Sequence, residues 1–184
     1  MLKLYGGARS RASIVQWYLE ELSLPYEFIL LDMAAGEHLN AEYLAINPMG
    51  KVPAIEDGEI KLWESGAILL YLAEKYDKNK ISLAKRSIWS QWILFANSTL
   101  ATGLFVEASR EKEVPKLLTA LEKILNQTPY ILGSEFTVVD VAVGSILAYV
   151  PLMLPIDLSP YPIILDYIKR INQRPAFEKT IGKR

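Results

Sequence analysis

The stretch NPMGKVPAIEDGEIKLWESG, residues 47–66, decides the fold of the first half of the chain. Val52 and Pro53 lead into a short apolar run, and Asp57 and Gly58 separate this run from a second one. Asp and Gly tolerate the positive φ values that tight hairpin turns require. The pattern therefore predicts a β-hairpin with Asp57-Gly58 as its turn.

A helix is predicted directly after the hairpin, from Ser65 to Tyr76, because apolar residues recur there at helical spacing. Glu64 and Ser65 stand at its start. The first N–H groups of a helix have no partner within the helix, so a hydroxyl or a bound anion can be held there. Helix capping is the simpler role for both residues. An exposed carboxylate in front of the helix instead favours binding of an ammonium group.

Upstream of the hairpin, the pattern predicts a strand, a helix and a second strand, at residues 2–5, 10–22 and 26–31. The second strand is mostly apolar, as a buried parallel strand would be. A loop with one short helix is expected at residues 34–45. The element order up to residue 76 is that of a thioredoxin-like domain.

Downstream of residue 76, no strand pattern appears. The polar residues Asp77-Lys78-Asn79-Lys80 predict a linker at residues 77–82. The predicted helices cover about residues 82–110, 114–125, 141–150 and 160–171. Pro115 is expected in the first turn of the second helix, where proline is tolerated. The sequence thus predicts an α/β domain at residues 1–76 and an all-helical domain at residues 83–184.

Thr137 and Asp140 have the spacing of a capping box, in which the side chain of each residue bonds the backbone N–H of the other. The helix behind them is apolar on nearly every side, so it is expected at the centre of the helical domain. The tryptophans and Tyr149 are expected in the core, although Trp92 or Phe105 is a candidate wall for an apolar ligand.

Composition limits the function. The chain has 184 residues, a net charge of −1 and no cysteine. The balanced charge argues against a nucleic-acid partner, which needs a basic face. The absence of cysteine excludes disulfides, thiolate metal sites and a cysteine nucleophile. No apolar segment approaches the ~20 residues that span a membrane. We therefore expect a cytoplasmic protein with no bound metal.

The order of these elements resembles the glutathione S-transferase family, whose members join a thioredoxin-like domain to a helical bundle. The resemblance implies a cis Val52–Pro53 bond, with the Val52 backbone pairing the cysteinyl part of glutathione. It implies that Glu64 and Ser65 hold the γ-glutamyl end. The texts LYGGARSRAS and LWESGA look most like the short cyanobacterial, chi-class members.

The resemblance also implies that His38 and Lys51 meet the glycine carboxylate of glutathione. An ordinary surface role is the simpler reading for each of them. The family pairs its subunits, which implies a homodimer. Glutathione would be a co-substrate, and no other cofactor is implied.

The family reaction needs a group that stabilises the glutathione thiolate, because a free thiol with a pKa near 8.5 is mostly protonated at neutral pH. Ser10 is the best candidate, as a hydroxyl at the start of the first helix. It would equally serve as a helix cap. Arg9 and Arg11 are alternatives because guanidinium stays charged. Tyr5 is a third option.

The resemblance implies a cytoplasmic detoxifying transferase that conjugates glutathione to small apolar electrophiles such as aryl halides, isothiocyanates or hydroperoxides. A non-catalytic binding or scaffold protein of the same fold is the alternative, although it need not keep the Val-Pro and Glu-Ser pairs. A glutathione-dependent isomerase is a third possibility, but the Ser-Ser-Cys run of that class is missing.

Overall fold

The computed structural model describes residues 1–76 and 81–183. The chain divides into two compact units, Met1–Lys80 with Lys179–Arg184, and Ile81–Glu178. The predicted linker residues Asp77-Lys78-Asn79-Lys80 lie outside the described residues. Within the described ranges, no helix is long and apolar enough to cross a membrane.

The first unit is a four-stranded mixed sheet with helices, which confirms the predicted thioredoxin-like domain. Its strands are β1 (Leu2–Gly6), β2 (Tyr26–Leu30), β3 (Ala54–Asp57) and β4 (Ile60–Trp63), in the order β2-β1-β3-β4. Its α-helices are α1 (Ala12–Glu21), α2 (Ala41–Leu44) and α3 (Ser65–Tyr76). Single 3₁₀ turns cover Glu37–Leu39 and Ile181–Lys183.

The hairpin and the helix after it form as predicted. The turn itself lies one residue further along, at Gly58 and Glu59, because Asp57 still pairs with Ile60. Gly58 has a φ of 63° and Glu59 does not have a positive φ. Glycine at the first central position is what a type II′ hairpin turn requires.

Strand β2 pairs parallel with β1, as predicted, but the expectation that it is buried is wrong. It lies at the edge of the sheet, and Glu27 and Leu30 are exposed. Its apolar residues favoured a central strand. The position at the edge is set by how β1 pairs with β3, which the local sequence of β2 does not encode.

Among the residues described, the second unit has helices and no strand, apart from one isolated bridge between Tyr130 and Gly133. Its helices are α4 (Leu83–Leu94), a π-helical stretch (Phe95–Leu100), α5 (Ala101–Phe105), α6 (Glu107–Leu125), α7 (Val138–Met153) and α8 (Pro162–Asn172). Helix α9 (Pro175–Lys179) follows at the boundary of the two units. The buried side chains of Trp89 and Tyr149 belong to the core of the second unit, as predicted.

The boundary predicted between the first two helices of this unit is wrong. The helical path breaks at Val106, which is extended, and α6 begins at Glu107. Arg110 Nε donates to the Leu104 carbonyl at 3.0 Å and so satisfies the end of α5. Pro115 therefore lies inside α6 instead of in a first turn. It is exposed, so water can bond the carbonyl that its missing N–H leaves free.

The predicted capping box at the start of α7 is confirmed. Thr137 Oγ1 accepts from the Val139 N–H at 3.2 Å, and Asp140 Oδ2 accepts from the Thr137 N–H at 2.9 Å. Asp140 is completely buried. Its Oδ1 also accepts from the Ile131 N–H at 2.9 Å and the Tyr167 hydroxyl at 3.0 Å. One carboxylate thus joins α7, α8 and the loop before α7.

We expect Asp140→Ala to lower the free energy of unfolding by about 3 kcal/mol or more, because buried donors on Ile131 and Tyr167 lose their acceptor. Asp157→Ala is the matched control. Asp157 also accepts a backbone and a hydroxyl donor, both from Ser159 at 2.8 Å, but it is exposed. Asp157→Ala should change the free energy of unfolding by no more than about 0.5 kcal/mol. Urea unfolding measures both, and equal losses would contradict the assignment.

Candidate functional site

The register of the sheet brings three loop segments to one edge. Tyr5 of β1 lies opposite Ala54 of β3, which lies opposite Trp63 of β4. The loop after β1, the Val52-Pro53 pair before β3 and the Glu64-Ser65 pair after β4 therefore leave the sheet side by side. Strand β2 ends there too, since Leu30 lies opposite Gly6.

A cavity of about 690 Å³ opens at this edge. It is lined by residues 7–10 after β1, by residues 30–34 at the end of β2, and by Glu37 and Val52. Its volume is within the range of small-molecule sites, which span about 300–1,000 Å³. All of its lining belongs to the first unit.

Ser10 is bonded into the loop that begins α1. Its Oγ donates to the Gly7 carbonyl at 3.0 Å and accepts from the N–H groups of Gly7 at 3.1 Å and Ala12 at 3.3 Å. The hydroxyl therefore serves as a cap of the first turn, and it also lines the cavity. An oxygen that accepts two N–H bonds is held in place even when its hydrogen turns to a new acceptor.

The two arginines beside Ser10 are placed differently. Both are exposed, but only Arg9 lines the cavity. Among the described residues, no hydrogen bond or ion pair holds either guanidinium. Arg9 therefore offers the cavity a positive charge that no carboxylate of the described residues contacts, and Asp32 and Glu37 are the acidic residues in the same lining.

Tyr5 does not line the cavity. Its hydroxyl donates to Glu56 Oε2, and its ring packs beside Tyr43 with 5.7 Å between ring centroids. Burial, with the bond to Glu56 and that carboxylate's charge, raises the pKa of Tyr5 well above its ordinary value. Its hydrogen is thus already committed inside the protein.

The loop before β3 is shaped by Asn47, which is buried. Its Nδ2 donates to the Lys51 carbonyl at 2.7 Å, and its Oδ1 accepts from the Met49 N–H at 3.0 Å. The Tyr43 hydroxyl donates to the same Lys51 carbonyl at 2.5 Å. Gly50 has a φ of 59°, which favours glycine. Together they fix the path of the chain into Val52.

The Val52–Pro53 bond is cis, as the sequence analysis predicted. Val52 lines the cavity, and its N–H and C=O form no hydrogen bond with any of the residues described. Since β3 begins only at Ala54, this backbone lies just outside the sheet, where a ligand in the cavity can bond it.

Lys51 and His38 are the two residues predicted to bind the glycine carboxylate of glutathione. Lys51 is exposed, and His38 is half-buried in the 3₁₀ turn. His38 Nδ1 is buried and has no hydrogen-bond partner. Gly50, next to Lys51, lies close to the backbone of His38. A Cβ atom placed on Gly50 would lie 3.2 Å from the His38 carbonyl oxygen.

Glu64 and Ser65 open α3. The Glu64 carbonyl accepts from the Ile68 N–H at 2.9 Å, which begins the helix. Glu64 has a φ of 70° and an exposed carboxylate. Ser65 is 3% exposed, and its hydroxyl has no hydrogen-bond partner among the residues that the structure describes. A hydroxyl without a partner at a helix start can bind a ligand oxygen.

Sequence reasoning missed the residues that hold the loops in place. Asn47 precedes a proline, and Asn-Pro is a known turn signal, so its role had a local signature. Asp32 had one as well, since Asp often bonds the backbone two residues on. Met33, which lines the cavity, had none, because an apolar residue in a polar loop does not reveal what it covers.

Comparison with known proteins gives a consistent family. The family description "Glutathione S-transferase, N-terminal domain" matches residues 1–74, and its C-terminal counterpart matches residues 88–184. A glutathione S-transferase of Silene vulgaris is 32% identical, over 98% of this chain and 97% of its own. Glutathione S-transferase GstB of Escherichia coli is 32% identical, over 98% of both chains.

Solved structures agree. The glutathione transferase URE2P6 of Phanerochaete chrysosporium, in complex with oxidized glutathione, superposes with a TM-score of 0.83 at 28% identity. The match covers 99% of this chain and 95% of that one. A glutathione transferase homologue of Drosophila mojavensis with bound glutathione gives a TM-score of 0.83 at 26% identity, covering 98% and 91%.

We expect Asn47→Ala to lower the free energy of unfolding by about 1–3 kcal/mol, because it removes a buried donor to the Lys51 carbonyl and the acceptor of the Met49 N–H. Asn47→Asp keeps the acceptor but loses the donor. It should be no better than alanine, because it sets a carboxylate against a carbonyl. Asn126→Ala, at an exposed position after α6, is the control. Thermal unfolding compares them, and a silent Asn47→Ala would refute the role.

Proposed function

The chain belongs to the glutathione S-transferase family and is a glutathione S-transferase; on that premise we propose how it works and on what. The cavity beside Ser10 holds glutathione, and the bound thiolate attacks small apolar electrophiles. One observation carries this proposal. Three groups lie at the same edge of the sheet: the backbone of Val52, the hydroxyl of Ser65 and the guanidinium of Arg9. None of them has a hydrogen-bond partner among the described residues.

Glutathione binds in an extended form along this edge. The N–H and C=O of Val52 pair with the cysteinyl residue, as an added strand pairs with an exposed sheet edge. Glu64 accepts from the ammonium group of the γ-glutamyl residue. Ser65 and the first N–H groups of α3 bind its carboxylate, which the helix N-terminus favours. The unused donors of Ser65 and of α3 support this orientation.

At the other end, Lys51 and His38 answer the glycine carboxylate. Lys51 is exposed beside Val52 and supplies a charge. His38 has a buried nitrogen without a partner, which a ligand group or a bound water can satisfy. Each tripeptide end thus meets groups of opposite charge.

Ser10 stabilises the thiolate by a hydrogen bond. The single hydroxyl hydrogen moves from the Gly7 carbonyl to the sulfur, while the oxygen keeps its two N–H donors. Arg9 adds a positive field, and Arg11, which does not line the cavity, adds less. The bond from the Tyr5 hydroxyl to Glu56 argues against Tyr5 as the donor.

The sulfur then forms a bond to carbon and expels a leaving group from an aryl halide, or adds to the carbon of an isothiocyanate. With a hydroperoxide it attacks oxygen and a second glutathione completes the reduction. The apolar part of the cavity lining, Leu30, Leu31, Met33, Ala34 and Val52, suits such small electrophiles. Retention on immobilised glutathione followed by an assay with 1-chloro-2,4-dinitrobenzene tests the proposal. Retention without turnover would indicate the non-catalytic binding protein instead.

We further propose a homodimer with a cytoplasmic, detoxifying role, of the chi-class type. The paired arrangement of this family and the texts around Ser10 and Glu64 support these finer assignments. Light scattering of the purified protein tests the dimer, and a mass equal to the 20.8 kDa chain would exclude it.

We expect Glu64→Ala and Ser65→Ala each to weaken glutathione binding by 10-fold or more, because each removes a charge-assisted contact worth about 1.5–3 kcal/mol. Glu59→Ala is the matched control, since Glu59 is an exposed glutamate in the turn of the same hairpin. Isothermal titration measures the affinities, and circular dichroism checks the fold. Unchanged affinity in both site variants would refute the assignment.

The thiolate donor is tested by ultraviolet titration of bound glutathione. We expect Ser10→Ala to raise the thiol pKa and lower kcat, with KM for glutathione nearly unchanged, because the sulfur is the only atom of glutathione that the hydroxyl bonds in the proposed complex. Arg11→Ala is the control for loss of a nearby charge. If Ser10→Ala leaves the thiol pKa unchanged while Arg9→Ala raises it, the role passes to Arg9.

A further inference from the structure

We propose that Met33 is a specificity-determining residue for the electrophile and that Asp32 positions it. The inference rests on the proposed function, because it concerns the group that becomes attached to the glutathione sulfur. It assigns part of this selectivity to the thioredoxin-like unit, in the loop after β2.

Met33 covers the loop that carries Ser10. A Cβ atom placed on Gly7 would lie 2.7 Å from Met33 Cγ, 3.4 Å from its Sδ and 3.9 Å from Ser10 Cβ. The thioether therefore fills the space that glycine leaves at position 7. It lies next to the residue that faces the sulfur in the proposed complex.

The loop around Met33 is closed by side chains bonding their own backbone. Asp32 Oδ1 accepts from the N–H groups of Ala34 and Ala35, both at 2.9 Å. Glu37 Oε2 accepts from the Asp32 N–H at 2.7 Å, and the Glu37 N–H donates to the Asp32 carbonyl at 3.1 Å. These bonds fix the Cα position of Met33. Its side chain is 37% exposed and can still change rotamer.

In the proposed complex, the cysteinyl side chain of glutathione lies near Met33. With its backbone on Val52 and its sulfur at Ser10, a cysteinyl side chain lies within the cavity that Met33 also lines. A substituent on the sulfur then occupies remaining space in the cavity, and Met33 forms part of its wall beside Gly7. Methionine is flexible and polarisable, so it can move around ligands of different shape.

The size of that wall should decide which substituents fit. Met33→Ala removes three heavy atoms and deepens the pocket. Apolar pockets discriminate by about 10- to 200-fold per methylene, so a change of this size is measurable. Leucine has nearly the volume of methionine, and such exchanges are usually tolerated.

The test compares the binding of glutathione, S-methylglutathione and S-(1-naphthylmethyl)glutathione by calorimetry, which needs no turnover. In Met33→Ala we expect the preference for the naphthylmethyl over the methyl ligand to rise at least 5-fold. The affinity for glutathione should stay within 2-fold, and Met33→Leu should keep the wild-type preference. Met49→Ala is the matched control, because Met49 is 59% exposed and does not line the cavity.

Two further variants separate positioning from packing. Asp32→Asn keeps an oxygen acceptor for the loop and should keep the wild-type preference, whereas Asp32→Ala should shift it. Gly7→Ala should destabilise the wild-type protein and do so less in the Met33→Ala background. Additive effects on the melting temperature would deny the contact between positions 7 and 33.

The outcomes are distinguishable. If the wild-type protein binds no form of glutathione, the proposed function fails and the inference fails with it. If it binds all three ligands and Met33→Ala leaves their relative affinities unchanged, the inference alone is overturned. A shift that Met49→Ala reproduces would also overturn it.

Discussion

The cross-strand row Tyr5–Ala54–Trp63 is the constraint on which the site depends. A slip of one residue in either pairing would turn every side chain of the slipped strand to the other face of the sheet. It would also move Val52 and Glu64 by about 3.3 Å along the sheet edge. Burial of Tyr5 and Ala54 under Tyr43 opposes such a slip. The apolar packing on this face therefore sets the spacing of polar groups at its end.

The loops at that edge are stiffened by the same physical device. Asn47, Asp32 and Ser10 each bond backbone groups of their own loop within three or four residues. Such local bonds satisfy loop N–H and C=O groups that have no strand or helix partner. Within the described residues, the Val52 backbone and the Ser65 hydroxyl have no hydrogen-bond partner. A site with rigid walls and free donors loses little conformational entropy when a ligand binds.

The parts of the fold that local chemistry specifies could be predicted from the sequence. The hairpin follows from Asp57-Gly58 between two apolar runs, and the cap of α7 follows from Thr137 and Asp140. The exposure of β2 could not be predicted, because it depends on which strand pairs with β1. The break at Val106 could not be predicted either, since a side chain one turn later satisfies the end of α5.

The residues of the candidate site also fall into those that the local sequence predicts and those that only the fold reveals. The Val-Pro and Glu-Ser pairs carry a recognisable order, and the cis bond expected at Val52–Pro53 is present. The contribution of Met33 arises from a contact between loops, which no spacing rule describes. Arg9 and Arg11 look alike in sequence, and only the path of the chain after β1 sets one of them in the cavity wall.

Glu64 shows what the site demands of the backbone. Its φ of 70° lies in the left-handed region, where a residue with a side chain costs roughly 1–2 kcal/mol. Glycine would relieve that cost, and packing does not require the side chain, because it is exposed. Strain of this kind clusters where function needs a particular group in a particular place. A carboxylate held in front of α3 at this cost is consistent with a ligand whose ammonium group it receives.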